Sequence, residues 1–501
     1  MRQLTSLDAQ FLALENARQT GHVGSVTVFD TESAPNGTLT ADDMMELLAT
    51  RLHQLPPLRW RLVETPFGLD YPHWVDDPHF DLEFHVREIA LSAPGNDEQL
   101  AEQVQRLHSR PLDRSRPLWE MYLISGLQSG HTALYTKIHH AIIDGVSGAE
   151  ILGLLLDFTP EGRHTPMGDT VQAGRTPGQW EMLGRGLLGL PRYPFRAIRA
   201  MPTVLPNLDE TPFATLPGAG LVSSVAGKVE EIARGDGNRV QRPSHKAPRT
   251  SFNGKISPHR RWVFGQLPLA DLKEVKEVKA AFGCTLNDVV VALCAGSVRR
   301  WLVDHDELPV EPLVAQIPVS VRTSEQVGTY GNRILLSSTV LYTNIADPAE
   351  RLRRTSESLK EMKLRHKAVP ATVLQDANHF IPPALFARAA RVTFSLARTS
   401  TPPWNLIISN VPGPQLPLYL AGARLVANYP VSVITDGTGL NITVQSYDGH
   451  LDFGILADRD QMPDLWNFMD WLKTSLAELK RIGRHLDIKP AVDINPDATG
   501  S

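Results

Sequence analysis

The sequence predicts a mixed α/β (α+β) protein of two domains, and three observations carry that prediction. Helical and strand patterns interleave through the first 160 residues, and they interleave again from Arg260 onward. Between them, from Gly162 to Lys255, Pro and Gly recur and strand patterns vanish. The boundaries are accordingly an N-terminal domain over 1–161, an interdomain linker over 162–255 and a C-terminal domain over 256–501. A chain of 501 residues, 42% hydrophobic and 21% charged, has room for two or more domains at roughly 100–200 residues each.

In chain order, Val23 to Phe29 reads as a strand. Thr40 precedes ADDMMELLATRLHQL, where Asp43 completes a capping box and Met44, Leu47, Leu48, Leu52 and Leu55 recur at helical spacing. A second helix follows the Pro94-Gly95 break, with Leu100, Val104 and Leu107 on one face. Trp119 to Ile124 and Ala133 to His140 are strands by apolar content and period. After Asp144-Gly145, GAEILGLLLDF reads as a helix N-capped by Ser147 and stopped near Thr159-Pro160.

Within the linker, HTPMGDT, LPGAG and RGDGNRVQRPSHKAPRT read as loop. Residues Trp180 to Met201 alternate large apolar side chains with Arg185, Arg192, Arg196 and Arg199, the composition of a membrane-interfacial segment. The same pattern equally suits a linker packed across its own domains, and Pro191 and Pro194 bar a long helix. In the second domain LADLKEVKEVKAAFG is a helix ending at Gly283, and CTLNDVVVALCAGSVRRWL is another. LVAQIPVSV, WNLIISN, NITVQSY and LDFGILA are strands. Met462 to Arg481 closes as an amphipathic helix with Leu465, Met469, Leu472, Leu476 and Leu479 on one stripe. Two mixed domains joined by a long crossover point to a cleft between them as the place for a ligand.

Composition narrows the function. A net charge of -5 with dispersed Lys and Arg gives no field for nucleic acid, so no nucleic-acid partner is expected. The start, MRQLTSLDAQ, lacks a signal-peptide pattern, and no apolar run approaches the roughly 18 residues of a membrane helix, so a cytoplasmic location is expected. Cys284 and Cys294 are the only cysteines, both among apolar neighbours, and read as buried thiols.

The most informative stretch is KIHHAIIDG, Lys137 to Gly145. Period two puts His140 on the face of Leu134, Thr136 and Ile138, with His139 opposite beside Tyr135 and Lys137, so the two imidazoles look different ways. One can enter a cleft as a base while the other supports the strand. Two hydrogen-bonded structural histidines before an Asp-Gly turn are the plain alternative. A metal site on His139, His140 and Asp144 is weaker, because alternating side chains converge poorly on one ion, and no metal is assigned. GVSGA resembles a hydrolase elbow with Ser147 as nucleophile, but Ala149 replaces its last glycine and the reading leaves His139, His140 and Asp144 without roles.

Further strings join the motif: LTSLDAQFLALE with HVGSVTVF, RPLWEMYLI at Arg116, TLNDVVVALCAG at Thr285, PVSVR at Pro318 with GNR at Gly331, and NVPGP at Asn410. Together and in this order, from about Leu4 to Leu479, they resemble the bacterial wax ester synthase/diacylglycerol acyltransferase family. HHxxxDG itself is shared by the wider superfamily of CoA-dependent acyltransferases and condensation domains. The resemblance implies two chloramphenicol-acetyltransferase-like domains with the active-site channel between them. It implies His140 as general base, His139 in support, and Asp144 as a structural ion-pair residue, for which Arg322 is the partner we expect. Gly145 is expected to permit a backbone angle or a close approach. The resemblance also places Asn287 and Asp288 at the active-site face, although Thr285 with Asp288 is equally a helix-capping pattern. NVPGP reads as a turn, with Asn410 a polar group toward the channel, and Trp119 as core. The activity implied is transfer of a long acyl group from acyl-CoA, a co-substrate with no bound cofactor, to diacylglycerol or a long-chain alcohol. The protein would sit peripherally on the inner membrane or on lipid inclusions. A condensation-type amide synthase and a non-catalytic lipid-binding protein of the same fold are the other readings.

Overall fold

Side-chain caps set the helix starts in the computed structural model, which describes residues 1–142, 153–163, 175–191, 246–267, 269–320, 334–368 and 402–484. Thr5, Thr40 and Asn96 each accept the N3 amide of the helix that follows, and Asp8, Asp43 and Gln99 return the bond. They open α1 (Ser6–Leu14), α2 (Ala41–Arg51) and α4 (Asp97–His108); a single turn, α3 (Leu82–His85), lies between the last two. Further along come α5 (Gln179–Gly189), α6 (Leu269–Phe282) and α7 (Leu286–Asp304), the last opened by a Thr285/Asp288 capping box. α8 (Pro348–Ala368) and α9 (Asn467–Gly483) complete the set among the described residues.

Near the N-terminus β1 (Arg2–Gln3), β3 (Trp60–Val63) and β4 (His73–Asp76) form a small antiparallel sheet with β4 central. The first large sheet contains β2 (His22–Asp30), β5 (Val86–Ala90), β6 (Trp119–Ser125) and β7 (Thr132–His139). The second contains β8 (Arg260–Leu267), β9 (Leu313–Ser320), β10 (Ile334–Leu341) and β11 (Leu406–Val411), with β14 (Leu440–Tyr447) and β15 (His450–Asp458), in the order β10-β9-β11-β14-β15-β8. Two strands of the second half, β12 (Tyr419–Leu420) and β13 (Ala423–Val431), cross over and complete the first sheet, whose order is β12-β13-β2-β7-β6-β5. The α/β (α+β) expectation is met.

β13 is the joint between the halves. Its edge pairs with β2, from Arg424 opposite Asp30 to Val431 opposite Gly24, while its backbone lies against the second sheet. Asn428 donates its amide to Asp452 at 2.8 Å, and the Trp262 indole donates to the Pro430 carbonyl at 3.0 Å. The approach is so close that a Cβ on Gly454 of β15 would lie 1.7 Å from that carbonyl oxygen. Leu134 and Ile138 of β7 face a core with Met44, Leu48 and Trp119. Ala133 and Tyr135 face the opposite way, into a core shared with Trp262, Phe264 and Leu456 of the second half. α4 contributes Leu100, Val104 and Leu107 to that shared core and packs against β8. The remaining core surrounds α7, thirteen of whose nineteen residues are buried.

Two sequence readings need correction. β7 ends at His139, and His140 sits in the turn that follows, because Ile142 donates its amide back to the His139 carbonyl at 2.9 Å and closes the chain on itself. The last helix starts at Asn467 rather than Met462. Pro463 disfavours helical geometry at Met462, so Met462 and Leu465 enter the core from a turn, both fully buried. The loop-rich linker contains α5, which stops before Pro191. The other named strands and helices lie within a few residues of their expected positions, except the helix read after Asp144-Gly145, most of which lies outside the described residues.

Candidate active site

α1 and the end of β7 meet over one loop, and the meeting is dictated locally. The chain leaves α1 at Glu15, an extended C-cap, and returns through Gly21 into β2, whose first residue, His22, pairs with His139. This brings Glu15, Gly21 and His139 together. A Cβ on Gly21 would stand 3.0 Å from His139 Nε2 and 3.1 Å from the Phe11 carbonyl oxygen, so glycine is the residue that lets the loop lie this close.

Glu15 gathers three partners. The Gly21 amide donates to Oε1 at 2.7 Å, His139 Nε2 lies 3.1 Å from the same oxygen, and Arg114 reaches Oε2 at 2.7 Å. Burial acts to raise the carboxyl, but these partners outweigh it and hold Glu15 at about 2, an anion at neutral pH. His139 is 1% exposed, and its Nδ1 accepts the Ala141 amide at 3.0 Å. With Nδ1 taken by the Ala141 amide, Nε2 is the nitrogen that faces the Glu15 carboxylate. Both His139 nitrogens face the protein interior, Nδ1 toward the Ala141 amide and Nε2 toward Glu15.

His140 is held differently. Its backbone amide donates to the Gly21 carbonyl at 2.8 Å, and its half-buried ring stacks on Phe11 with centroids 4.1 Å apart and planes at 13°. The Glu15–His139 pair thus fixes the turn, through the Ala141 amide, and Phe11 on α1 fixes the ring beside it. Such an arrangement can orient one imidazole to take a proton while the other braces it.

Behind the strand end lies a buried polar group. His22 Nε2 donates to the His108 carbonyl, His108 Nε2 donates to the Ser432 carbonyl at 2.9 Å, and Tyr135 donates to His108 Nδ1 at 2.8 Å. Lys137, 0% exposed, donates to the Leu107 carbonyl at 3.0 Å and to that of Arg110, closing the C-terminus of α4. Burial first, then the charges of Lys137 and Arg260, push His108 down to about 3; burial likewise pushes His22 well below its ordinary value.

Of the other candidates, Asn287 and Asn410 are brought together, the Asn410 amide donating to the Asn287 side-chain oxygen at 3.2 Å. Asp288 lies 1% exposed, where Oδ2 accepts the Thr285 amide at 3.0 Å and the Ser356 hydroxyl at 2.9 Å, so its contacts are those of a helix cap. Asp144, Gly145, Ser147 and Arg322 lie outside the described residues, as do Arg192, Arg196 and Arg199. Trp119 is core, its indole donating to the Leu58 carbonyl. Cys284 and Cys294 are buried thiols, pushed up by burial to about 11 and about 12. Among the described residues no cluster of His, Cys, Asp and Glu could hold a metal ion, and no single helix is long and apolar enough to cross a membrane. Glu15, Phe11 and Gly21 were not singled out from sequence. The signal present was a lone carboxylate closing the apolar run FLALE just ahead of the first strand.

Two family models match the chain: the wax ester synthase/diacylglycerol acyltransferase catalytic domain over residues 4–290 and the C-terminal domain of the same family over 330–480. A putative diacylglycerol O-acyltransferase of Mycobacterium tuberculosis is 36% identical over 481 residues, covering 96% of this chain and 90% of that protein. The O-acyltransferase WSD of Acinetobacter baylyi is 31% identical, covering 98% and 100%. Among solved structures, the wax ester synthase/diacylglycerol acyltransferase of Marinobacter aquaeolei VT8 superposes with a TM-score of 0.67 at 32% identity, covering 97% of this chain and all of that one. A condensation domain of the calcium-dependent antibiotic synthetase, 16% identical with a TM-score of 0.56 over 97% of each chain, shares the fold alone.

Proposed function

The chain belongs to the wax ester synthase/diacylglycerol acyltransferase family and is an acyltransferase, and from that premise we propose that it transfers a long acyl group from acyl-CoA to diacylglycerol, with His140 as general base. The observation that carries the assignment is the difference between the two rings: His139 is 1% exposed with Nδ1 accepting the Ala141 amide, whereas the half-buried His140 ring stacks on Phe11 beside it. His140 takes the proton as the alcohol oxygen attacks the thioester carbonyl. The tetrahedral intermediate collapses with loss of the CoA thiolate, and that thiolate receives the proton from His140. Because a thiolate leaves readily, its parent thiol having a pKa of about 8.5, no covalent enzyme intermediate is needed. Asp144 is assigned to holding the loop, with Arg322 as its ion-pair partner.

A long-chain alcohol, giving wax ester, is the second acceptor we propose, since the Marinobacter relative carries wax ester synthase in its name. Diacylglycerol stands first because the mycobacterial relatives are nearer in sequence. Thiol release from purified protein with acyl-CoA and acceptor tests the reading. His140→Ala should lower it by about 10²- to 10⁴-fold with unchanged circular dichroism; near-normal turnover would overturn the base assignment. Diacylglycerol and hexadecanol in competition rank the acceptors.

Delivery of such substrates requires a lipid surface, at a membrane or inclusion facing the cytoplasm. Support comes from α5, where Trp180 is 84% and Leu188 78% exposed with Leu187 beside them, next to Phe67 at 83% in the turn against which α5 packs. Trp180, Leu187 and Leu188 share one side of the helix by spacing. Replacing these three with Gln should reduce vesicle binding; unchanged binding would remove α5 from this role.

A further inference from the structure

On the outer side of the α4–β8 contact lies an open cavity of about 540 Å³ lined from both halves of the chain. Five arginines border it: Arg106 and Arg110 at the end of α4, Arg260 and Arg261 at the start of β8, and Arg459 after β15. Only Glu98 and Glu102 oppose them on the lining, with His259 adding a further nitrogen. The cations differ in how they are compensated. Arg106 is paired with Glu102 at 2.5 Å, Arg459 lies 3.7 Å from Asp460, and buried Arg260 spends its guanidinium on the carbonyls of Ser257, His259 and Arg18. The side chains of Arg110 and Arg261 have no carboxylate or carbonyl partner among the described residues, and Arg261 Nε is shut away from solvent without an acceptor.

A buried, unsatisfied guanidinium N–H is costly, and two uncompensated guanidinium groups facing one recess invite an anion with several oxygens at donor distance. Trp466, half-buried on the same wall, offers an aromatic face for a carbon skeleton attached to that anion. We propose that this cavity binds phosphoryl groups of an organic phosphate, the shared chemistry of a nucleotide-type carrier and of a phospholipid headgroup. Its position ties it to the strand end. Arg260 donates to the Arg18 carbonyl in the loop that holds Gly21, and the Arg110 carbonyl receives Lys137, two residues before His139. A ligand seated here would rest against the two segments, at Arg18 and at Arg110, that touch the strand end.

The test is calorimetric titration of the full chain with two probes, adenosine 3′,5′-bisphosphate for the nucleotide source and monomeric dihexanoyl phosphatidylglycerol for the headgroup source. Binding of the first identifies a nucleotide-type ligand, and binding of the second alone identifies a headgroup. In either case the Arg110→Gln/Arg261→Gln double variant should weaken it by about tenfold or more, since each change removes charged hydrogen-bond donors to the phosphoryl oxygens. Both changes remove side chains without folding partners, and retained circular dichroism checks this. Glu102→Gln, which releases Arg106, should strengthen binding and serves as an independent variant. No heat with either probe, or equal affinity in wild type and double variant, overturns the proposal.

Discussion

Two adjacent imidazoles of nearly identical intrinsic chemistry are given different surroundings by the fold, and one carboxylate faces only the first. Glu15 holds His139, His139 accepts the Ala141 amide, and that amide fixes the turn that carries His140. Glu15 is thus a positioning residue. Glu15→Gln should lower kcat by about 10–100-fold with KM little changed, since misplacing a reacting group by about 1 Å costs about that much. Thiol-release kinetics against substrate concentration check the split; an unchanged kcat would remove Glu15 from the mechanism. The same residue makes a stability statement. Its folded pKa of about 2 lies below the ordinary 4.5, so it contributes stability above about pH 4.5 that is lost as pH falls from there to about 2. The contribution is about 3 kcal/mol, and urea unfolding of wild type and Glu15→Gln should converge across that window.

At the scale of elements, β13 couples the halves, and the coupling depends on Gly454, where a Cβ would meet the Pro430 oxygen. Gly454→Val should cost about 3 kcal/mol or more by forcing the strand off β15, and the clearest reading is denaturant unfolding that separates into two transitions. A single transition at unchanged midpoint would show that β13 tolerates the shift. The same strand marks where the sequence was illegible. Helices with a cap and an apolar stripe, such as α2 and α4, were readable because both signals are local. β13, whose sequence ARLVANYP holds a polar Asn and a Pro among its apolar residues, is a strand because β2 and β15 offer it partners from opposite ends of the chain. The site divides likewise. HHxxxDG announced itself by residue type, and Asn287 with Asn410 by family pattern. Glu15 and His139 are 124 positions apart in sequence, and only the folded loop brings them together.

For the whole molecule, the consequence of packing polar groups between the halves is sensitivity to acid well above the range of its carboxylates. His108 bonds the last turn of α4 to Ser432 beyond β13, and burial holds it at about 3 in the folded chain. The unfolded chain takes up that proton near pH 6.5, so between about 6.5 and 3 the unfolded state binds more protons and stability falls as pH falls. His22, neutral for the same reason, adds in the same direction. Glu15 contributes only below about 4.5, so the interval from pH 6 to 5 isolates the histidines. His108→Gln keeps one donor for Ser432 and one acceptor for Tyr135 but cannot titrate. In urea unfolding across that interval, wild type should lose stability more steeply than His108→Gln by about 1 kcal/mol per pH unit. Parallel slopes would mean that His108 is protonated in the fold, and the joint between the halves would then carry a buried charge in place of a neutral hydrogen-bonded ring.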